Sequence, residues 1–290
     1  MKNRSLKGKT VALTGASGGL GRALCKQILS IGGNLIVIDR NEKKQAALLE
    51  ELRAAYAESA IEGLIADMEN MESVKALADA LKERPVDLLI LNAGAYSIPR
   101  HKTALGLDNV FCINFVSPYY LARTLAPVLT ARGGRVIAVG SIAHDYAKSD
   151  PSDEDFSTRE RASLVYGNAK RHLMAAFFDL AEKGESVAVA HPGISFTGIT
   201  AHYPKLIFAL IRYPMKLIFM KPKKAALSIL EGLFTPTAAG EWIGPRLFDV
   251  WGKPKKKALK TEVFKAFWSC YPDLNRGPHP YQGCALPAEL

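Results

Sequence analysis

Six short aliphatic or β-branched runs alternate with longer segments whose apolar residues recur at three- and four-residue steps. No other feature of the chain restricts its fold as strongly. The runs are Thr10–Leu13, Leu35–Ile38, Ile61–Ala66, Val86–Leu91, Arg135–Val139 and Val187–Ala190. Between them lie Leu20–Ile31, Glu42–Tyr56, Met71–Lys82, Leu105–Leu129 and Ser163–Glu182. Three-and-four spacing puts apolar side chains on one stripe of a helix. Runs without polar alternation suit strands covered on both faces. Together they predict a doubly wound α/β fold on a parallel sheet, with ligands held beyond the carboxyl ends of the strands. With 290 residues, 48% of them hydrophobic and 23% charged, the chain has material for one large core and is neither disordered nor fibrous.

The alternation weakens after His191. Pro192, Pro204, Pro214 and Pro222 punctuate aliphatic and aromatic clusters, which predicts short helices in a small substrate lobe over about 194–235. Residues 1–268 read as one Rossmann-type domain. From 269 to 290, Pro272, Gly277, Pro278, Pro280, Gly283 and Pro287 leave no periodic segment, so an irregular tail is expected. The stretch from Asp273-Leu274-Asn275-Arg276-Gly277 to Ala285-Leu286-Pro287 resembles peptides translated across the complementary strand of a transfer-RNA gene, which implies a read-through or frameshift origin.

Cys25, Cys112, Cys270 and Cys284 are widely spaced and form no C-x-x-C pair. A disulfide framework or zinc finger is therefore not expected, and the chain reads as a reduced, cytoplasmic protein. No window reaches the roughly 18 apolar residues of a membrane span; the stretch 206–220 is broken by Arg212, Pro214 and Lys216. The formal net charge is +10, and residues 205–265 hold 13 Lys/Arg against 4 Asp/Glu. Either a solvated basic face or a patch for peripheral contact with a membrane surface or an acidic partner follows. No aromatic-interleaved basic motif points to nucleic acid.

The run Thr14-Gly15-Ala16-Ser17-Gly18-Gly19-Leu20-Gly21 lies between the first strand and the first helix. A glycine cluster alone can be a plain tight turn. Here a strand precedes it, a helix follows, and Asp39 ends the second strand 18 residues beyond Gly21. Glycines let a pyrophosphate approach the backbone, the helix N-terminus attracts the anion, and the acid can hold a ribose diol. The turn therefore predicts dinucleotide binding.

At this point the chain resembles the short-chain dehydrogenase/reductase family, whose T-G-x-x-x-G-x-G turn falls on Thr14, Gly15, Gly19 and Gly21. The likeness runs over about residues 7–260. It implies cofactor contacts from Gly15, Ser17, Gly19, Leu20, Gly21, Asp39 and Arg40, an adenine contact at Asp67, and a further stretch at Asn92-Ala93-Gly94, where Leu91 replaces the family's usual first Asn. Pro192-Gly193-Ile194-Ser195-Phe196-Thr197 resembles the P-G-x-x-x-T loop that grips the nicotinamide, which brings in Pro192, Gly193 and Thr197. Tyr166 and Lys170 match Y-x-x-x-K, and residues four apart share a helix face. With Ser141 and Asn114 they complete the family's catalytic tetrad.

The resemblance implies an oxidoreductase interconverting an alcohol and a carbonyl. Tyr166 would serve as general acid/base, its pKa drawn below the ordinary ~10 by the Lys170 ammonium and the charged nicotinamide. Ser141 would orient the substrate oxygen, Asn114 would hold a water-mediated relay, and Lys170 and Tyr166 would also meet the cofactor. Asp39 favours NAD(H), whereas Arg40 keeps NADP(H) open. A hydrophobic substrate is expected from Phe196, Tyr203, Leu206, Ile207, Phe208, Leu210 and Ile211, although such residues are as readily core. The alternative is a non-catalytic dinucleotide sensor on the same fold, and a homo-oligomer is compatible with either. Ser141 and Tyr166 stand 25 positions apart, a long spacing similar to that of the retinol-dehydrogenase-like branch. The added acidic segment is expected to be a loop at the site mouth or a solvated insertion. His144 and His191 read as structural or supporting residues, and no cluster has metal-ligand spacing.

Overall fold

The computed structural model describes residues 4–145, 148, 150, 152–193, 220–247 and 250–258. In chain order the elements are β1 (Thr10–Thr14), α1 (Gly19–Ser30), β2 (Asn34–Asp39), α2 (Glu42–Ala55), β3 (Ile61–Ile65), α3 (Met71–Lys82), β4 (Leu88–Leu91), α4 (Asn109–Phe111), a π-helical turn (Cys112–Val116) and α5 (Ser117–Ala131). There follow β5 (Arg135–Val139), a 3₁₀ turn (Ile142–Asp145), α6 (Ala162–Glu182), β6 (Val187–Ala190), α7 (Pro222–Phe234), β7 (Glu241–Leu247) and β8 (Trp251–Ala258). The strands form one sheet in the order β3-β2-β1-β4-β5-β6-β7-β8, parallel except for the antiparallel pair β7–β8.

Period-two burial makes this a three-layer molecule. Val11, Leu13, Leu35, Val37 and Ile90 face one way, against α1, α2 and α7. Ala12, Ile36, Ile38, Leu89 and Leu91 face the other, against α3, α5 and α6. Both faces are therefore apolar, as a parallel sheet between helices requires. Chain order reverses between β1 and β4, so a crevice opens beyond their carboxyl ends.

Three expectations change. Residues 105–108 are not helical: Asp108 caps α4 by accepting the N–H groups of Val110 and Phe111, and a π turn interrupts the helical run. Pro222–Phe234 does not belong to a lobe, because Ala226, Ile229, Leu230 and Leu233 of α7 are core residues beneath β5 and β6. Two further strands follow, where Gly, Pro and Lys had concealed any strand pattern. The rest of the expected lobe, 194–219, and the tail, 269–290, lie outside the described residues. Cys25 and Cys112 are buried free thiols, which desolvation pushes up to about 12 and about 11.

Candidate active site

The glycine turn folds onto itself so tightly that side chains are excluded. Gly15 has φ +65°, and a Cβ there would stand 2.9 Å from Ala93 Cα. A Cβ on Gly21 would stand 2.3 Å from the Gly15 carbonyl oxygen. Gly18 caps α1 without a side-chain acceptor, and no acid occupies the first turn. Exposed Gly19 and half-buried Leu20 open that turn, leaving the helix N-terminus to an external anion. Asn92 holds the turn in place: its Nδ2 donates to the carbonyls of Thr14 (2.9 Å) and Gly15 (3.1 Å), while the N–H groups of Asn92 and Ala93 donate to Thr14 Oγ1. The Asn92 side chain is thus committed to the loop.

Asp39, buried at the end of β2, accepts hydrogen bonds from the Ser17 N–H (3.0 and 3.1 Å) and from Ser17 Oγ (2.8 Å). Burial raises its pKa and the Ser17 donors oppose the rise. Arg40 is exposed beside it. Asp67, just past β3, accepts the Glu69 N–H through Oδ1. Asp39, Asp67, Asn92 and the glycine turn therefore all lie at the carboxyl ends of the neighbouring strands β2, β3, β4 and β1. A flat, anion-ended, diol-bearing ligand fits the chemistry there: open helix N–H groups lie at one place and a carboxylate acceptor at another. Beyond β6, Gly193 has φ +81° and no room for a Cβ, which would lie 2.5 Å from Met220 Cε. Pro192 precedes it, and Thr197 lies outside the described residues.

The four expected catalytic residues converge from three elements. Asn114 sits in the π turn, fully buried, and donates from Nδ2 to the carbonyls of Ala95 (2.7 Å) and Val110 (2.8 Å). A Cβ on Gly94 would meet Asn114 Oδ1 at 2.8 Å and Lys170 Nζ at 3.9 Å, so only glycine lets these groups approach. Ser141 stands two residues past β5; its Oγ accepts the Ala143 N–H (3.2 Å) and hydrogen-bonds the Tyr166 side chain. Lys170, one helical turn after Tyr166 on α6, donates to the Val139 carbonyl (3.0 Å), and its Nζ lies 5.6 Å from the Tyr166 ring centroid.

Burial pushes the Tyr166 hydroxyl up to about 12, only partly opposed by Ser141. Burial pulls Lys170 down to about 8. Desolvation is the dominant influence on both groups.

Sequence reasoning missed several participants. Tyr96 packs edge-on against Tyr166, ring centroids 5.3 Å apart. Between Ser141 and Tyr166, residues 152–160 are docked rather than solvated. Arg100 donates from Nε to Asp108 (2.8 Å), from Nη2 to the carbonyls of Phe156 (3.1 Å) and Ser157 (3.2 Å), and from Nη1 to that of Arg159. Asp155 accepts the Asp108 N–H at 2.7 Å. Phe156, at φ +53°, packs with Val110, Val165 and Tyr166. An arginine 66 positions before Tyr166 offers no local signal of this. Behind Ser141 lies a cavity of about 200 Å³ lined by Gly140, His144, Met174, His191 and Trp242, among others. Among the described residues, no group of three His, Cys, Asp or Glu side chains could hold a metal.

The short chain dehydrogenase family model matches residues 9–150. Retinol dehydrogenase 14 of Homo sapiens is 30% identical over 287 residues, covering 91% of this chain and 85% of that protein. The chain belongs to the short-chain dehydrogenase/reductase family. Membership makes it an NAD(P)-dependent oxidoreductase acting on CH–OH groups. Polyprenol dehydrogenase of Mus musculus is 26% identical over 90% of this chain and 82% of that one. A short-chain dehydrogenase from Sphingobium yanoikuyae, solved with NADPH, shares the fold at TM-score 0.60 and 22% identity, over 77% of this chain and 83% of that one.

Proposed function

We propose that this dehydrogenase interconverts a hydrophobic alcohol and its carbonyl, with Tyr166 as the proton-transferring residue. The observation that carries this reading is Lys170: a lysine 3% exposed, bonded to a backbone carbonyl, with no carboxylate partner among the described residues. A structural role would not justify such a costly charge, whereas its place beside the Tyr166 ring suits control of a phenol. The dinucleotide, when bound in the glycine crevice, supplies the hydride exchange. Tyr166 gives a proton to the nascent alkoxide or takes one from the alcohol, and the Ser141 hydroxyl donates to the same oxygen. Lys170 meets the cofactor ribose and favours the phenolate, while Asn114 holds the backbone at Ala95 and Val110 beside them. The free phenol, held near 12, is the acid form suited to protonating a carbonyl oxygen; acting as base requires added positive charge.

The test is Tyr166→Phe, screened by dinucleotide absorbance with long-chain and aromatic alcohols and aldehydes. Turnover should fall at least ~10²-fold, the scale of general acid–base catalysis, with dinucleotide affinity retained. Near-normal turnover would overturn the assignment.

NAD(H) is the favoured cofactor. Asp39 presents its carboxylate where a ribose diol would be read, and the same carboxylate repels a 2′-phosphate. Titration of both dinucleotides should give tighter binding of NAD(H); the opposite order contradicts the role given to Asp39. A peripheral membrane location is supported by the lysine-rich edge strand β8, beside which Leu247 (53%) and Trp251 (39%) are exposed. Among the described residues no helix is long and apolar enough to cross a membrane.

A further inference from the structure

We propose that His144 is a positioning residue that fixes Ser141 for reaction, a role that rests on the reading of Ser141 and Tyr166 as the reacting pair. Ser141 is the second residue past the end of β5 and lines the cavity together with Gly140 and Ile142, so packing alone does not set its rotation. His144 supplies the missing constraint. The Ser141 carbonyl accepts the His144 backbone N–H (3.2 Å) and also faces His144 Nδ1 at 2.6 Å. A carbonyl offers only lone pairs, so Nδ1 must carry the proton and donate. His144 is 7% exposed, and its ring meets Trp242 edge-on at 6.0 Å between centroids. Nε2 lies 3.2 Å from Asp145 Oδ1 at the exposed rim.

The consequence reaches the hydroxyl through the turn. Ser141 Oγ accepts the Ala143 N–H and bonds the Tyr166 side chain, and the first of these bonds exists only while residues 142–145 keep their 3₁₀ conformation. His144 closes that turn on the Ser141 carbonyl. Releasing it frees Ser141 to rotate, with no change at the glycine crevice.

The geometry gives a discriminating set of variants. An asparagine amide nitrogen overlies the position of Nδ1, a glutamine amide nitrogen overlies Nε2, and leucine fills the space without a donor. With NADH and a carbonyl substrate turned over by the wild-type enzyme, His144→Asn should keep kcat within about threefold. His144→Gln and His144→Leu should lose tenfold or more in kcat, with dinucleotide Kd unchanged. Independently of activity, nitrogen-15 NMR of histidine-labelled protein should show a signal, absent from His144→Asn, whose Nδ1 is protonated and slow to exchange. A neutral Nε2–H tautomer at this signal overturns the proposal, as does a folded Gln variant with normal kcat or an Asn variant as impaired as Gln. If Tyr166→Phe retains turnover on the same substrate, the reading of the site fails instead, whatever the His144 variants do.

Discussion

At the scale of the residue, Lys170 is held against its own solvation. Its ordinary pKa near 10.5 falls to about 8 because burial disfavours the ammonium. A folded-state pKa below the unfolded one means that the folded protein binds fewer protons between those values, so stability rises as pH climbs from about 8 to 10.5. Below pH 8 the full penalty applies, on the order of 3 kcal/mol. Lys170→Met keeps the length of the side chain and removes the charge. At pH 7 the variant should therefore melt several degrees above wild type while losing turnover, and the gap in Tm should close towards pH 10. A variant less stable than wild type at pH 7 would refute burial as the dominant force at this position. Stability is given up here for a charge beside the phenol, a trade expected at a working site.

At the scale of the element, what could be read from the chain depended on whether one local pattern decided the structure. β5 and β6, all-aliphatic after Arg135, and α3, with its Asn70 cap and its Val74, Leu77, Ala78 and Leu81 stripe, carry their own instructions and match expectation residue for residue. β7 reads Glu-Trp-Ile-Gly-Pro-Arg-Leu and β8 reads Trp-Gly-Lys-Pro-Lys-Lys-Lys-Ala. Neither has strand character until its position at the sheet edge is known, where Pro and Lys are tolerated. The π turn that buries Asn114 was equally invisible, because it depends on the Ala95 backbone that receives the amide. So did the docking of 152–160, which is fixed by distant Arg100. Arg100→Ala removes three hydrogen bonds from that segment and leaves buried Asp108 without its cation. Loss of about 1–3 kcal/mol is expected, with easier proteolysis within 152–160 and a lower kcat as Phe156 loosens against Tyr166. Unchanged Tm and protease resistance would show that the segment is held by other contacts.

At the scale of the whole molecule, charge accumulates at one end of the sheet. The outermost strand, β8, carries Lys253, Lys255, Lys256 and Lys257. Lys256 is paired with Glu241 at 2.9 Å, while Lys253 and Lys255 are exposed and share the other face with Lys257. Edge lysines can act simply to stop sheets from joining. Three on one face beside exposed Leu247 and Trp251 also match an anionic bilayer surface, where each lysine contributes about 1 kcal/mol and an aromatic side chain settles among the headgroups. The two roles separate in one experiment. The enzyme should sediment with vesicles containing phosphatidylserine at low salt, release as salt rises, and ignore neutral phosphatidylcholine vesicles. Changing Lys253, Lys255 and Lys257 together to Gln should weaken that binding by about 10²-fold with turnover of a small soluble substrate unchanged, because β8 lies across the sheet from the glycine crevice. If the triple variant instead binds vesicles normally and self-associates, the lysines guard the edge and the membrane reading is wrong.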